Sequence, residues 1–159
     1  MKGNIIMDLI FQLIVVIMIL SILLIIYLKY RSKIRFSKNN ANKVSYLSGQ
    51  DFERFLSSLF YSMGYKNKVT KGSYDFGADL IVSDGRTKIV IQAKRYNSKV
   101  GIKAVQEVFS AMHYYDAQQA YVFTNSYYTK SARLLAQKLG VKLCDRNQIE
   151  VLRKKYLSN

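Results

Sequence analysis

An uninterrupted apolar run near the N-terminus constrains this chain more than any other feature. Residues 9–28 are twenty consecutive positions without a charge, and Gln12 and Ser21 are the clearly polar members. About 20 apolar residues is the length that a helix needs to cross the hydrocarbon core of a bilayer. A lone segment in lipid must be helical because its backbone groups have no other partners there. The run therefore predicts a single transmembrane helix, with residues 1–29 as the membrane anchor.

The charges on either side of the run predict its direction. Lys2 and Asp8 precede it, whereas a short basic stretch follows it, made up of Lys29, Arg31, Lys33, Arg35 and Lys38. Basic flanks stay on the cytoplasmic side, so we expect a single-pass protein of the cell membrane with a cytoplasmic C-terminal domain. A cleaved signal peptide is the alternative, but the run is long, its basic flank is on the wrong side and no small-residue cleavage site follows.

Residues 30–46 form a basic and polar stretch between the run and the rest of the chain. They lack regularly spaced apolar residues, which is typical of a tether. Their positive charge would hold this juxtamembrane linker against the anionic inner leaflet of the lipid bilayer. We therefore expect one folded domain over residues 47–159.

The composition of this domain excludes several classes of site. The chain has one cysteine, Cys144, and one histidine, His113, and no internal disulfide is possible with a single cysteine. A cysteine-based zinc site is excluded for the same reason, and a histidine-rich zinc site or a serine or cysteine triad would depend on His113 alone. We expect Cys144 to pack in the core and His113 to lie in solvent.

The domain is basic even without the membrane flank. Residues 46–159 contain 18 lysines and arginines against nine aspartates and glutamates, which is +9 of the total +15. A net positive domain indicates a polyanionic partner such as nucleic acid. A solvated surface with surplus lysine would give the same total, so charge alone leaves both interpretations open.

Apolar periodicity predicts an α/β domain. The spacing and the turn residues predict a helix between Ser48 and Gly64, a hairpin of strands 78–83 and 89–94, a helix over 101–117, a strand over 120–124, a helix between Thr129 and Gly140, a strand over 141–144 and a helix from Asn147. This order predicts a mixed central β-sheet flanked by helices.

The hairpin predicts which side chains share a sheet face. If it turns symmetrically about residues 84–85, Asp79 lies opposite Val90 and diagonal to Gln92. Residues at alternate positions share a face. The polar face is then Asp79, Val90, Gln92 and Lys94, and the apolar face is Ala78, Leu80, Val82, Ile89, Ile91 and Ala93.

The polar face predicts metal-dependent chemistry. Burying a carboxylate, an amide and an ammonium is costly unless they satisfy one another or a ligand. Asp79 and Gln92 offer the oxygen ligands that suit Mg²⁺ or another hard divalent cation. Lys94 can orient water and stabilise developing phosphate charge. A structural ion pair between Asp79 and Lys94 is the alternative.

These residues resemble a known family signature, an acidic residue before a hairpin followed by Gln or Glu, any residue, and Lys. Residues 75–80 (DFGADL) and 92–96 (QAKRY) are similar to the Mrr-like, type IV restriction endonuclease family of the PD-(D/E)XK nuclease superfamily. The likeness continues at residues 49–53, 105–107 and 124–126 and covers about 46–150 in consistent order. Phe76 stands where the family often has glycine, and Gln92 stands where the superfamily usually has Glu.

The resemblance implies a restriction-endonuclease-like core and an endodeoxyribonuclease of foreign or modified DNA. It implies Asp79 as a metal ligand, Gln92 in the second ligand position and Lys94 as the catalytic lysine. Glu53 matches a helix acid that supports the metal site, and Asp75 is a supporting residue that fits a loop-capping role better than direct ligation. We expect a homodimer if both DNA strands are cut.

Two alternatives to the nuclease stay open. One is a catalytically inactive, membrane-tethered module that binds DNA, and the other is a membrane protein whose soluble part mediates protein assembly. The second predicts no salt-dependent affinity for DNA.

Several residues are candidates for DNA contacts. Lys99, Lys103 and Lys130 could contact phosphates, as could Arg133. Asn125 and Ser126 could also do so, although together with Thr124 they could simply shape a strand-to-helix turn. Tyr127 and Tyr128 could stack on nucleic acid or pack beside it.

Overall fold

The structure is a computed structural model that describes residues 10–28, 47–70 and 76–157. Its contacts divide the chain into two units, Met1–Arg35 and Phe36–Asn159. In the first unit, helix α1 (Ile10–Leu28) has 19 residues and a mean hydropathy of 3.0. None of its residues is buried by the described part of the chain. By length and composition, α1 is the one helix in the described ranges that could cross a membrane. The predicted linker, residues 30–46, lies outside the described residues.

Within residues 47–70 and 76–157, the second unit has a five-stranded mixed sheet and four helices. Its elements in chain order are α2 (Gly49–Ser62), β1 (Lys66–Val69), β2 (Leu80–Ser83), β3 (Lys88–Lys94), α3 (Ile102–Tyr114), β4 (Gln119–Thr124), α4 (Lys130–Leu139), β5 (Lys142–Cys144) and α5 (Arg146–Leu157). The strand order is β1-β2-β3-β4-β5. β1, β2 and β3 pair antiparallel, whereas β3, β4 and β5 pair parallel. The predicted mixed α/β sheet is confirmed.

Each face of the sheet is covered by two helices. On one face, α2 and α5 bury a core with the odd-numbered apolar residues of β3, Ile89 and Ile91. On the other face, α3 and α4 pack on Val90 of β3 and on Ala120 and Val122 of β4. Cys144 is buried in the first core, as expected, and His113 is exposed on α3.

The helix ends follow the predicted capping residues. The Ser48 hydroxyl accepts a hydrogen bond from the Asp51 N–H at 3.1 Å, and the Thr129 hydroxyl accepts one from the Ala132 N–H at 3.1 Å. Gly140 ends α4 with a left-handed φ of 71°. Each cap satisfies a backbone group that a helix end would otherwise leave unpaired.

Strand β1 was not predicted from the sequence. Its four residues, KNKV, have neither an apolar alternation nor β-branched residues except Val69, which is exposed. Asn67 stabilises the strand through its side chain, which donates to the Ser57 backbone oxygen of α2 at 2.8 Å and accepts from the Ser57 hydroxyl at 2.6 Å. An edge strand held by such contacts has no periodic signal in the sequence.

The hairpin register differs from the predicted one. Leu80 pairs with Ile91 and Ile81 with Val90, so the predicted pairing of Asp79 with Val90 is wrong by two residues. The turn is longer than two residues because the Asp84 carboxylate accepts hydrogen bonds from the N–H groups of Arg86 and Thr87. A shift of two residues keeps every strand side chain on its predicted face.

Ala78 was assigned to the wrong face. It lies in the core beneath α3 and α4 with Val90, not with Leu80. The reason is that Ala78 precedes β2, where Gly77 has a φ of 91° and turns the chain, so strand alternation does not reach it.

Candidate active site

Asp79 lies at the entrance of β2 and faces the end of β3. Its N–H donates to the Ile91 carbonyl at 2.8 Å, which places its side chain beside the next two residues of β3. The carboxylate oxygen Oδ2 accepts a hydrogen bond from the Gln92 side-chain amide and a second from the Ala93 N–H at 2.6 Å. The structure thus brings Asp79 and Gln92 together, more directly than the predicted diagonal.

Gln92 is a buried polar side chain, 4% exposed. Its Nε2 donates to Asp79, so the amide and the carboxylate satisfy each other. Rotation of the amide by half a turn would instead place its oxygen beside the carboxylate, because the two ends of an amide have the same shape. The same pair can therefore form a hydrogen bond or offer two oxygens to a cation.

Lys94 is the last residue of β3 and pairs with an acid on α3. Its Nζ lies 2.8 Å from Glu107 Oε2, and the two side chains are 19% and 28% exposed. Lys103, one helical turn before Glu107, has its Nζ 3.9 Å from the other carboxylate oxygen and is far more exposed. Glu107 therefore lies between a shielded lysine and a solvated one.

Glu107 is the site residue to which sequence reasoning gave no role. The sequence contains two signals for Glu107: it belongs to the family likeness at residues 105–107, and it lies four residues after Lys103 on the same helix. Its contact with Lys94 joins the end of β3 to α3, between residues that are 13 positions apart in the sequence. Periodicity within one element does not predict such a contact.

Gly77 packs the segment before Asp79 against α3. Its φ is 91°, and a Cβ added there would lie 2.5 Å from the Glu107 carbonyl oxygen. Both the backbone conformation and the space exclude other residues. The chain that leads into Asp79 therefore lies directly on the residue that pairs with Lys94.

The oxygen donors of this site fit a magnesium ion. Mg²⁺ keeps several waters and is held by one or two carboxylates, whereas structural zinc sites are built mainly from cysteine and histidine. Asp79 offers a carboxylate oxygen, and Gln92 offers its amide oxygen once the amide is rotated. Among the described residues there is no cluster of three His, Cys, Asp or Glu side chains. Asp75 lies outside the described residues, Glu53 is partly buried on α2, and their supporting roles stay predictions.

The residues expected to contact DNA fall into two groups. Lys99, Lys103 and Lys130 are exposed. Asn125 is buried, and its side-chain oxygen accepts the Tyr96 N–H at 2.8 Å. The Ser126 N–H donates to the Thr124 hydroxyl at 3.1 Å, so these residues shape the turn after β4. A phosphate contact by any of them stays a prediction.

The two tyrosines after this turn differ in exposure. Tyr128 is buried, and its hydroxyl donates to the Val122 carbonyl at 2.7 Å. Burial also raises the pKa of the Tyr128 hydroxyl. Tyr127 is 39% exposed. Tyr128 therefore packs in the core, and stacking on nucleic acid stays a prediction for Tyr127.

A comparison with models of known protein families shows which family the chain belongs to. The restriction endonuclease family Mrr_cat matches residues 44–152, which is most of the chain. The chain belongs to this restriction endonuclease family. The predicted resemblance to Mrr-like nucleases of the PD-(D/E)XK superfamily is therefore confirmed. A search of curated protein sequences found no significant match.

Solved structures share the fold of this restriction endonuclease domain. A protein of unknown function, AF1548, superposes with a TM-score of 0.57 at 18% identity over 65% of this chain and 64% of its own. The DNA modification-dependent restriction endonuclease AspBHI superposes with a TM-score of 0.54 at 18% identity over 79% of this chain and 35% of its own. This chain thus spans less than two thirds of either relative, and at this identity the likeness concerns the fold.

Proposed function

We propose that this protein is a membrane-anchored, metal-dependent endodeoxyribonuclease that hydrolyses DNA phosphodiester bonds. Its role would be the restriction of foreign or modified DNA at the cytoplasmic side of the cell membrane. Membership of the restriction endonuclease family supports the nuclease class. The apolar helix α1 and the basic stretch after residue 28 support the anchor and its direction.

The geometry of Asp79 is the observation that carries this proposal. Its carboxylate is fixed by the Gln92 amide and by the Ala93 N–H, at the strand end that also bears Lys94. A carboxylate held at two points by β3 is pre-organised and loses little conformational freedom on ligand binding.

Asp79 and Gln92 would hold the magnesium ion. When bound, Mg²⁺ supplies positive charge beside the phosphate and makes a water molecule more acidic. The protein holds the carboxylate and the amide in place and packs apolar residues behind them. The Val90 side chain, which shares the Gln92 face of β3, is fully buried and excludes water from that side.

The Lys94 ammonium would stabilise negative charge that develops on the phosphate. Such stabilisation depends on a fixed position, because a group that must reorganise during the reaction contributes less. Glu107 acts as the positioning residue, since its 2.8 Å contact limits the rotamers of a long and flexible side chain. Gly77 lets the segment that leads into Asp79 approach Glu107, so both halves of the site share this support.

The exposed lysines would bind the DNA backbone. Lys99 and Lys103 flank the start of α3, and Lys130 opens α4. Contacts to phosphates position DNA without reading its sequence. Each such contact makes affinity fall with added salt, so we expect a steep salt dependence.

Cleavage by the full-length protein in detergent micelles tests the proposal. We expect plasmid DNA to be nicked or cut with Mg²⁺ and to stay intact with a chelator. Magnesium binding, measured by isothermal titration calorimetry, should be lost in Asp79→Asn, a nearly isosteric change. Salt-dependent DNA binding without cleavage in any divalent metal would favour an inactive DNA-binding module, and the absence of salt-dependent binding would reject both.

A further inference from the structure

Two exposed aromatic rings stack on each other next to the active-site segment. Phe76 immediately precedes Gly77, and Tyr114 is the last residue of α3. Their ring centroids are 3.7 Å apart and their planes differ by 20°. Phe76 is nevertheless 48% exposed and Tyr114 is 57% exposed. The Phe76–Tyr114 stack thus covers one face of each ring and leaves much of both residues open to solvent.

The backbone of Phe76 is strained. Its φ is 50°, in the left-handed region that bulky L residues rarely adopt. Glycine would take this conformation without strain. Burial in the core does not compensate for this strain, because about half of the Phe76 side chain is exposed. A strained residue with an exposed ring beside an active site is a reason to look for a ligand.

The stack is connected to the active site on both sides. Phe76 lies three residues before Asp79 in the chain, and Tyr114 lies seven residues after Glu107 on α3. Seven helical residues span about 10 Å, which is about three nucleotide steps of ~3.4 Å along one DNA strand. Tyr115 contacts the Tyr114 ring edge-on, with centroids 4.9 Å apart, and supports its orientation. A DNA strand at Lys94 could therefore reach the stack.

We propose that the Phe76–Tyr114 stack binds an unpaired base of the DNA substrate. This inference rests on the proposed function and adds a preference for DNA that is single-stranded or bulged near the cut. An aromatic ring offers its face to any base, but a base inside a duplex has both faces covered by its neighbours. Two rings form a small apolar surface, less than the patch of several hundred Å² that usually marks a protein partner. The net charge of +9 over residues 46–159 also favours a polyanion.

Binding experiments with chelator, which separate affinity from cleavage, test this preference. The full-length protein in detergent micelles is titrated against single-stranded, bulged and fully paired DNA at one salt concentration. We expect tighter binding to the first two, and quenching of a 2-aminopurine placed in the bulge. Phe76→Gly should weaken binding to bulged DNA by about 5- to 150-fold, the range for loss of one base–aromatic stack, and should affect paired DNA much less.

Three controls make the result specific to the ring. Phe76→Leu keeps an apolar side chain and the strained backbone but removes the ring, so it should also lose the quenching. Tyr114→Phe keeps both rings and should retain the preference. Phe76→Gly should melt at the same temperature as the wild type or higher, because glycine relieves the strain.

The outcomes separate this inference from the proposed function. Equal affinity for bulged and paired DNA, or a preference that persists in Phe76→Gly, would overturn the inference alone. The preference without cleavage in any metal would reject the proposed nuclease and keep the binding site. No affinity for DNA would reject both.

Discussion

The two faces of strand β3 differ in what their side chains do. Ile89 and Ile91 point to α2 and α5 and are buried in an apolar core. Val90 points to α3 and is equally buried, but the next residue on that face, Gln92, is polar, and Lys94 follows it at the strand end. Because strand residues alternate between faces, stability and the proposed chemistry are assigned to neighbouring residues of one strand. Substitutions should therefore separate the two.

The polar side chains on the second face of the sheet, around Gln92 and Lys94, depend on one another for hydrogen bonds and ion pairs. Burying an unpaired amide costs about 1–3 kcal/mol and burying an unpaired carboxylate costs more, whereas a hydrogen-bonded group costs much less. Asp79 accepts from both Gln92 and Ala93, and Glu107 pairs with Lys94. Removing one of these side chains would leave its partner unpaired and could destabilise the fold. The stability of each variant must therefore be measured together with its cleavage rate.

The largest expected effect is the loss of cleavage in Lys94→Met. Methionine keeps most of the length of the side chain but removes the charge, so DNA cleavage should fall by about 10²- to 10³-fold or more. The change is measured as initial rates on plasmid DNA in excess Mg²⁺. Lys138→Met, which removes an exposed lysine in the last turn of α4, is the matched control. If both variants cut equally well, Lys94 has no part in the chemistry.

Ile91→Ala should destabilise the apolar core on the opposite face of β3. Ile91 is fully buried, and truncation of such a side chain costs about 2–5 kcal/mol of folding free energy. Denaturant unfolding measures this loss, and cleavage is measured at a temperature where the variant is still folded. We expect the rate per folded molecule to change far less than in Lys94→Met. A variant that is stable but inactive would show that the two faces are not separable.

Capping and alternation made most of this fold predictable from the sequence. Ser48, Thr129 and Gly140 are local signals: the first two begin helices and the third ends one, as expected. The faces of β2 and β3 follow from residue type alone. The register of the hairpin depends on the hydrogen bonds that the Asp84 carboxylate accepts in the turn. Strand β1 depends on the contact of Asn67 with α2. Both depend on particular contacts and not on periodicity.

The candidate site was predictable where it lies on adjacent strands. Asp79 and Gln92 meet because a shift of two residues keeps the face, so an error in register did not separate them. Glu107 comes from a helix, and its position depends on how closely α3 approaches Gly77. The Phe76–Tyr114 stack likewise joins two distant segments. Contacts of this kind are set by packing and leave no local pattern in the sequence.

Glu107→Gln should have an intermediate effect that tests the positioning of Lys94. Glutamine keeps the shape and the hydrogen-bonding oxygen but loses the charge, so Lys94 is held less firmly. We expect kcat to fall by about tenfold, or ~1.4 kcal/mol of transition-state stabilisation, with little change in KM. Because the effect acts through Lys94, adding Glu107→Gln to Lys94→Met should lower the rate no further. An additive loss in the double variant, or a rise in KM alone, would contradict this role.

The smallest expected effect concerns Cys144, in the core beneath α2 and α5. Burial raises the pKa of its thiol from the ordinary 9.0 to about 12. The folded protein thus keeps the proton longer than the unfolded chain, so the stability contributed by the neutral thiol is complete below pH 9 and declines as pH rises from 9 towards 12. Between pH 7.5 and 9.5 the wild type should lose no more than about 1 kcal/mol beyond the loss in Cys144→Ala. Denaturant unfolding of both proteins at each pH measures the difference. Equal losses would mean that the thiol ionises as freely in the core as in the unfolded chain, and this face would then be less dry than its apolar residues indicate.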